Sequence, residues 1–209
     1  MDINNPGIRQ EAIAALKEVH DGVIKEITPK FLKILSGEER AILDYLENNG
    51  LTKYKQGSWH RLSHNIIVPA VGINLSHSGY DGYGRKVHPY RKVVVPACIL
   101  HDIGETKHPS IVGQEERGKM AHRMMHRHAG VKIADDALTK LNEDYKISMT
   151  SGHIAEIKRL IMVHDDPYAG IPIDPDDKNA LALRASDRAY VPSFVSFYKD
   201  VFYRKEGKG

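Results

Sequence analysis

The sequence has almost no cysteine. Cys98 is the only one among 209 residues, which excludes an intrachain disulfide and a thiolate zinc cluster. It lies in the apolar run VVVPACIL and reads as a buried, inert thiol. Long apolar runs are missing too, since no stretch approaches the roughly 20 residues needed to span a bilayer. The N-terminus, MDINNPGIRQ, lacks the basic-then-apolar layout of a leader peptide. A cytoplasmic protein with no membrane partner is therefore expected. Excess charge is small: the net value is +3, with no long Lys/Arg run and no aromatic–basic alternation. That argues against a nucleic-acid polymer as partner, while a slight positive excess suits a small anionic substrate. There is no internal repeat and no low-complexity tract.

What the sequence does hold is a globular composition, 41% hydrophobic and 27% charged, and an unusual number of histidines. The length suits one well-buried core with a small helical appendage. Twelve histidines are present, most of them between His60 and His164. Neutral imidazole is the commonest protein ligand for transition metals. No single site can use twelve, so at least half belong to surface or core.

Apolar spacing is helical throughout, which predicts an all-α fold. Ile8, Ala12, Leu16, Val19 and Val23 mark a helix over 8–27, and Pro29 is expected to separate it from a short segment, FLKIL. Ser36-Gly-Glu-Glu39 reads as a capping box opening a helix that stops at Gly50. Residues 1–56 are taken as a helical scaffold covering part of the core, and 57–209 as the domain that carries the chemistry. Trp59–Leu75 is a further helix, which Pro69 and Gly72 should kink or weaken. HSGYDGYGRKVHPY reads as an exposed loop, either a lid or a plain connection. Lys92–Ile103 looks strand-like at Val93-Val94-Val95, but its length and helical neighbours favour a buried helix. One or two helices are expected over 114–141 and another over 151–164. Asp174-Pro-Asp-Asp177 should open a last helix, its carboxylates suiting the N-terminal dipole.

His101-Asp102 closes the most apolar helix. A carboxylate beside an imidazole at the end of VVVPACIL needs a partner if it is buried, and a metal ion offsets that cost. His64 begins the run HNIIVPAVGINL, and Asp187 is a polar residue in the mostly apolar LALRASDRAY. One His, a His-Asp pair and a later Asp supply two nitrogen and two carboxylate ligands. Such a set suits Mn, Fe, Co, Ni or Zn with positions left open for water.

On these residues the sequence resembles the HD-domain superfamily of metal-dependent phosphohydrolases, over about residues 58–200. The superfamily pattern is a His, then a His-Asp pair, then a distant Asp, all on helices. His64 matches the first, with Val68 four and Gly72 eight positions later. ACILHDIGE matches the pair, with Glu105 where the family has Lys, so a role of that Lys does not carry over. Asp187, followed by Arg188, matches the closing Asp. The resemblance implies an HD-type helical bundle with an N-terminal helical extension, and metal ligands His64, His101, Asp102 and Asp187. His126-Arg-His-Ala-Gly130 resembles a helix start that presents an extra ligand, and His164-Asp-Asp166 resembles another. His122 and His128 crowd the same helix as His126 and leave the choice among them open. Two extra ligands would bring the count from one ion to two, bridged by Asp102.

Three functions fit. The first is hydrolysis of a nucleotide or other small phosphorylated metabolite, with metal-bound hydroxide as nucleophile, Asp102 at the centre and Glu105 orienting water or capping the helix end. Arg61, one turn before His64, and Lys107 and Arg188, flanking other ligands, are candidate phosphate contacts or ordinary surface cations. The second is di-iron oxygenation, which needs the same His126 and His164. The third is a non-catalytic nucleotide sensor, against which the intact ligand set argues. A homo-oligomer is left open.

Overall fold

The computed structural model describes residues 6–51, 59–79, 86, 88–106, 116–164 and 174–190. The side chains at 59–64, 116–123, 190 and several α1 positions, among them His20, lie outside the described set. Among the described residues every regular element is a helix, and the fold is all-α: α1 (Pro6–Ile34), α2 (Gly37–Asn48), α3 (Trp59–Ser78), α4 (Arg91–Leu100), a 3-10 helix (Ile103–Thr106), α5 (Glu116–Glu143), α6 (Ser151–Val163) and α7 (Lys178–Tyr190). No described helix is long and apolar enough to cross a membrane.

The bundle is organised around α4. From Val93 to Leu100 every residue of this helix is buried, and α2, α3, α6 and α7 all pack on it. Val93-Val94-Val95 is thus helical rather than extended. A segment apolar on every side gains most by being enclosed on every side, and helices pack here from several directions. Pro96 sits inside α4, removing one donor from the ladder. The core cluster also takes in Phe31 of α1 and Ile42, Leu43 and Leu46 of α2.

The helix-end signals read at Ser36–Glu39, Gly50 and Asp174–Asp177 are satisfied, and further contacts join them. Ser36 N–H donates to Glu39 Oε2 at 2.7 Å, and Glu39 N–H donates to Ser36 Oγ at 3.2 Å, completing the capping box of α2. Glu39 also accepts a forked pair of bonds from Arg91, at 2.9 and 2.8 Å, tying the start of α4 to that of α2. Gly50, at φ 67°, follows α2 in the left-handed region that glycine adopts without strain. Asp177 caps α7 by accepting from Ala180 N–H at 3.0 Å. Thr150 and His153 form a capping box at α6, which gives His153 a structural role.

Three expectations are corrected. Pro29 does not end the first helix, because α1 runs through it to Ile34. Pro29 and Lys25 are both exposed, so a carbonyl deprived of its helical donor there can meet water. Val19 and Val23, read as apolar-face positions, are 53% and 46% exposed, and among the described side chains of α1 those that join the core lie at its far end. Third, α3 passes Pro69 and Gly72 and continues to Ser78, so His77 and Ser78 belong to helix rather than loop.

Candidate metal centre

His101 is the first residue after α4, with Asp102 next to it, leading into the 3-10 helix. Fully buried Leu100 and Ile103 bracket the pair and anchor both sides of this corner. His101 is 1% exposed, and its Nδ1–H donates to the carbonyl of Cys98 at 2.9 Å. A carbonyl can only accept, so the proton sits on Nδ1 and Nε2 turns toward Asp102 and Asp187. His164 repeats the device at the end of α6, where its Nδ1–H donates to the carbonyl of Ile161 at 2.7 Å. Metal-ligating histidines are held in this way, by an acceptor behind the ring that fixes the tautomer and raises the basicity of the other nitrogen.

Three histidine rings meet on Asp102. Its Oδ2 lies 3.4 Å from His101 Nε2. Its Oδ1 lies 3.2 Å from His164 Nε2 and 3.9 Å from His126 Nε2. Asp187, from α7, brings Oδ1 to 3.5 Å from His101 Nε2. The His101 and His164 rings stand edge to face at 5.0 Å, and those of His126 and His164 at 5.6 Å. Asp102, His126 and His164 can together hold a metal ion, since one ligand atom from each lies within 4.8 Å of the others. Burial opposes charge on His101, but Asp102 and Asp187 beside it lift its pKa well above the usual imidazole range. Carboxylates that hold a proton on this nitrogen are placed to hold a cation there instead.

Two close helix approaches make the arrangement possible. A Cβ on Gly104 would fall 1.6 Å from the carbonyl oxygen of His126 and 2.5 Å from the nitrogen of Gly130, so the 3-10 helix lies directly against the α5 backbone. A Cβ on Gly72 would fall 2.8 Å from Cys98 Sγ and 3.5 Å from Ser186 Oγ, which sets α3 hard against α4 and α7. The Cys98 thiol is 1% exposed, and burial pushes its pKa up to about 12, as expected of an inert core cysteine.

Of the expected ligands, the structure brings His101, Asp102, His126, His164 and Asp187 together. His64 is on α3, but its side chain lies outside the described residues, as do those of Arg61 and His122. Lys107 is outside the described residues altogether. Among the crowded α5 histidines, His126 is buried and His128 exposed. His126 lies well inside α5 rather than at its start, a correction that follows from α5 being one continuous helix from Glu116. Glu105 is half-buried in the 3-10 helix, and its N–H bonds to the carbonyl of Asp102 at 2.9 Å. Arg188 is exposed on α7 next to Asp187. His77 and His88 are exposed and take no part.

Gly104 and Arg127 were not singled out by sequence reasoning. Glycine directly after His-Asp-Ile was a usable signal for the first. Nothing in the sequence marks Arg127, which is fully buried. No family model, curated protein or solved structure matches the chain.

Proposed function

We propose that the chain is a metal-dependent phosphohydrolase of the HD kind, acting on a nucleotide or another small phosphorylated metabolite. The observation that carries this is the division of the Asp102 carboxylate: one oxygen faces His101, the other faces His126 and His164. A carboxylate shared in this way suits a bridge between two cations, one toward His101 and Asp187, the other toward His126 and His164. Mixed imidazole and carboxylate donors suit Mn, Fe, Co, Ni or Zn. Ions bound there would polarise a phosphoryl oxygen and supply a nucleophile from water at neutral pH.

The chain's own groups serve that chemistry by position. Asp102 and Asp187 offset cationic charge at the mouth of the site, where each is about a quarter exposed. The buried rings of His101, His126 and His164 form a floor closed to water. Arg188, exposed beside Asp187, is the proposed contact for an anionic substrate oxygen. Glu105, in the turn after Asp102, is the proposed group for orienting water.

A di-iron oxygenase would draw on the same two histidines, so the test has two arms. Protein purified without added metal is analysed for bound metal, then screened against phosphoesters and nucleotides with and without oxygen. Phosphate release that persists anaerobically supports hydrolysis. Turnover only with iron and oxygen overturns it in favour of oxygenation. Absence of bound metal, and of binding on adding Mn or Co, removes the basis for both.

A further inference from the structure

Arg127 is the largest fully buried side chain in the described core, at 0% exposure. It is adjacent to His126 on α5 and reaches across to α6. Its Nη1 donates to the carbonyl of Met162 at 2.9 Å, and its Nη2 to Met124 Sδ at 3.4 Å. Met162 lies in the last turn of α6, where carbonyls lack helical partners. His164 takes the carbonyl just before it, that of Ile161, through its own Nδ1. Two successive carbonyls at the end of α6 are thus engaged, one by His164 and the other by the neighbour of His126.

The geometry points to Arg127 as the positioning residue for the His126–His164 half of the metal centre. We propose that its guanidinium, by clamping the end of α6 to α5 beside His126, sets the distance and angle between the two rings. The proposal rests on the metal-centre reading above. A guanidinium presents its donors in a fixed planar fork, so the bonds to Met162 and Met124 set direction as well as distance. Cationic charge at a helix C-terminus is also favourable, which orients the guanidinium toward α6 rather than elsewhere.

The test is a titration with cobalt(II) alone, followed by visible absorption and by counting bound ions, on the full chain and its Arg127→Met, Arg127→Lys and His164→Ala variants. The ion lost in His164→Ala defines the site in question. Arg127→Met is expected to keep its helical circular dichroism and the other ion's spectrum, but to bind the His164-dependent ion about 10- to 100-fold more weakly. Arg127→Lys, which keeps the charge and one donor, should recover part of that loss. Wild-type affinity for both ions in folded Arg127→Met and Arg127→Lys would overturn the proposal. Should Arg127→Met fail to fold, Arg127→Lys decides: an unchanged His164-dependent ion overturns, a weakened one supports. If wild type binds no cobalt, or His164→Ala loses none, it is the metal-centre reading that fails, before Arg127 is reached.

Discussion

Gly104 and His126 touch through backbone: a methyl group on Gly104 would sit 1.6 Å from the His126 carbonyl oxygen. Neither partner can rotate away, because one is the 3-10 helix that follows His101-Asp102 and the other is the middle of α5. Gly104→Ala must therefore push α5 off this corner and carry His126 away from Asp102. The expected destabilisation is about 3 kcal/mol or more, at the upper end for overpacking. Urea denaturation and metal content should fall together; a variant with wild-type values for both would remove Gly104 from the site's construction.

A milder contact of the same kind lies behind the centre. A Cβ on Gly72 would meet Cys98 Sγ at 2.8 Å, and Sγ is the end of a short side chain that can itself be trimmed. Gly72→Ala is expected to cost about 1–2 kcal/mol, and Cys98→Ala added to it should restore part of the loss. Strict additivity of the two changes would show that they do not meet.

The same burial fixes the chemistry of the thiol. With its pKa pushed up to about 12 by burial, Cys98 carries almost no thiolate at pH 8. Iodoacetamide should leave native protein unlabelled and modify one site per chain in denaturant. Stoichiometric labelling of the native protein within minutes would contradict the packing around α4.

Which parts of this were legible in advance follows from what sequence spacing encodes. The Ser36–Glu39 box, the helix stop at Gly50 and the Asp177 cap rest on contacts three or four residues apart, and the pattern shows them directly. The His101-Asp102 corner was legible because an abrupt polar pair ends an apolar run. Pro29 misled because a proline at an exposed position leaves its lost bond to water. Arg127 was hidden because α5 carries charged residues on every side, and periodicity cannot tell which of them a neighbouring helix will cover. The Gly104 contact joins chain segments 22 residues apart, from 104 to 126, and only the fold brings them together. That His126 is buried and His128 exposed follows from which face of α5 meets the 3-10 helix, while the side chain of His122 lies outside the described residues.

Acid should weaken the junction of α6 and α7. Arg159 bonds Glu156 at 2.7 Å and Asp177 at 2.6 Å, and Asn179 donates to Glu156 at 3.2 Å. The bond from Arg159, working against partial burial, holds the Glu156 carboxyl below its usual 4.5. A depressed carboxyl contributes stability that is present above pH 4.5 and is lost as pH falls through the lower folded value. Both partners are partly exposed, so the contribution is under about 1 kcal/mol. Glu156→Gln should melt slightly below wild type at pH 7, with the gap closing below pH 4.5. A gap that stays constant down to pH 3.5 would dissociate Glu156 from the effect.

Metal stoichiometry bears most directly on the centre. Asp102 presents Oδ2 to His101 and Oδ1 to His126 and His164, so removing its charge should disturb every ion that binds here. Asp102→Asn keeps the shape of the side chain and is expected to lower the count of bound ions more than any single histidine change, and to abolish turnover. His126→Ala and His164→Ala should each remove about one ion and spare the one beside His101 and Asp187. All three variants should remain helical by circular dichroism, because the apolar core cluster that holds α4 and α6 is left unchanged by them. Equilibrium dialysis against manganese or cobalt, with metal counted per chain, checks each expectation. Asp102→Asn at the wild-type count would break the proposed bridge and leave its carboxylate a partner of the histidines alone. If both histidine variants kept the full count, any second ion would have to be held elsewhere, and a mononuclear hydrolase would become the better description.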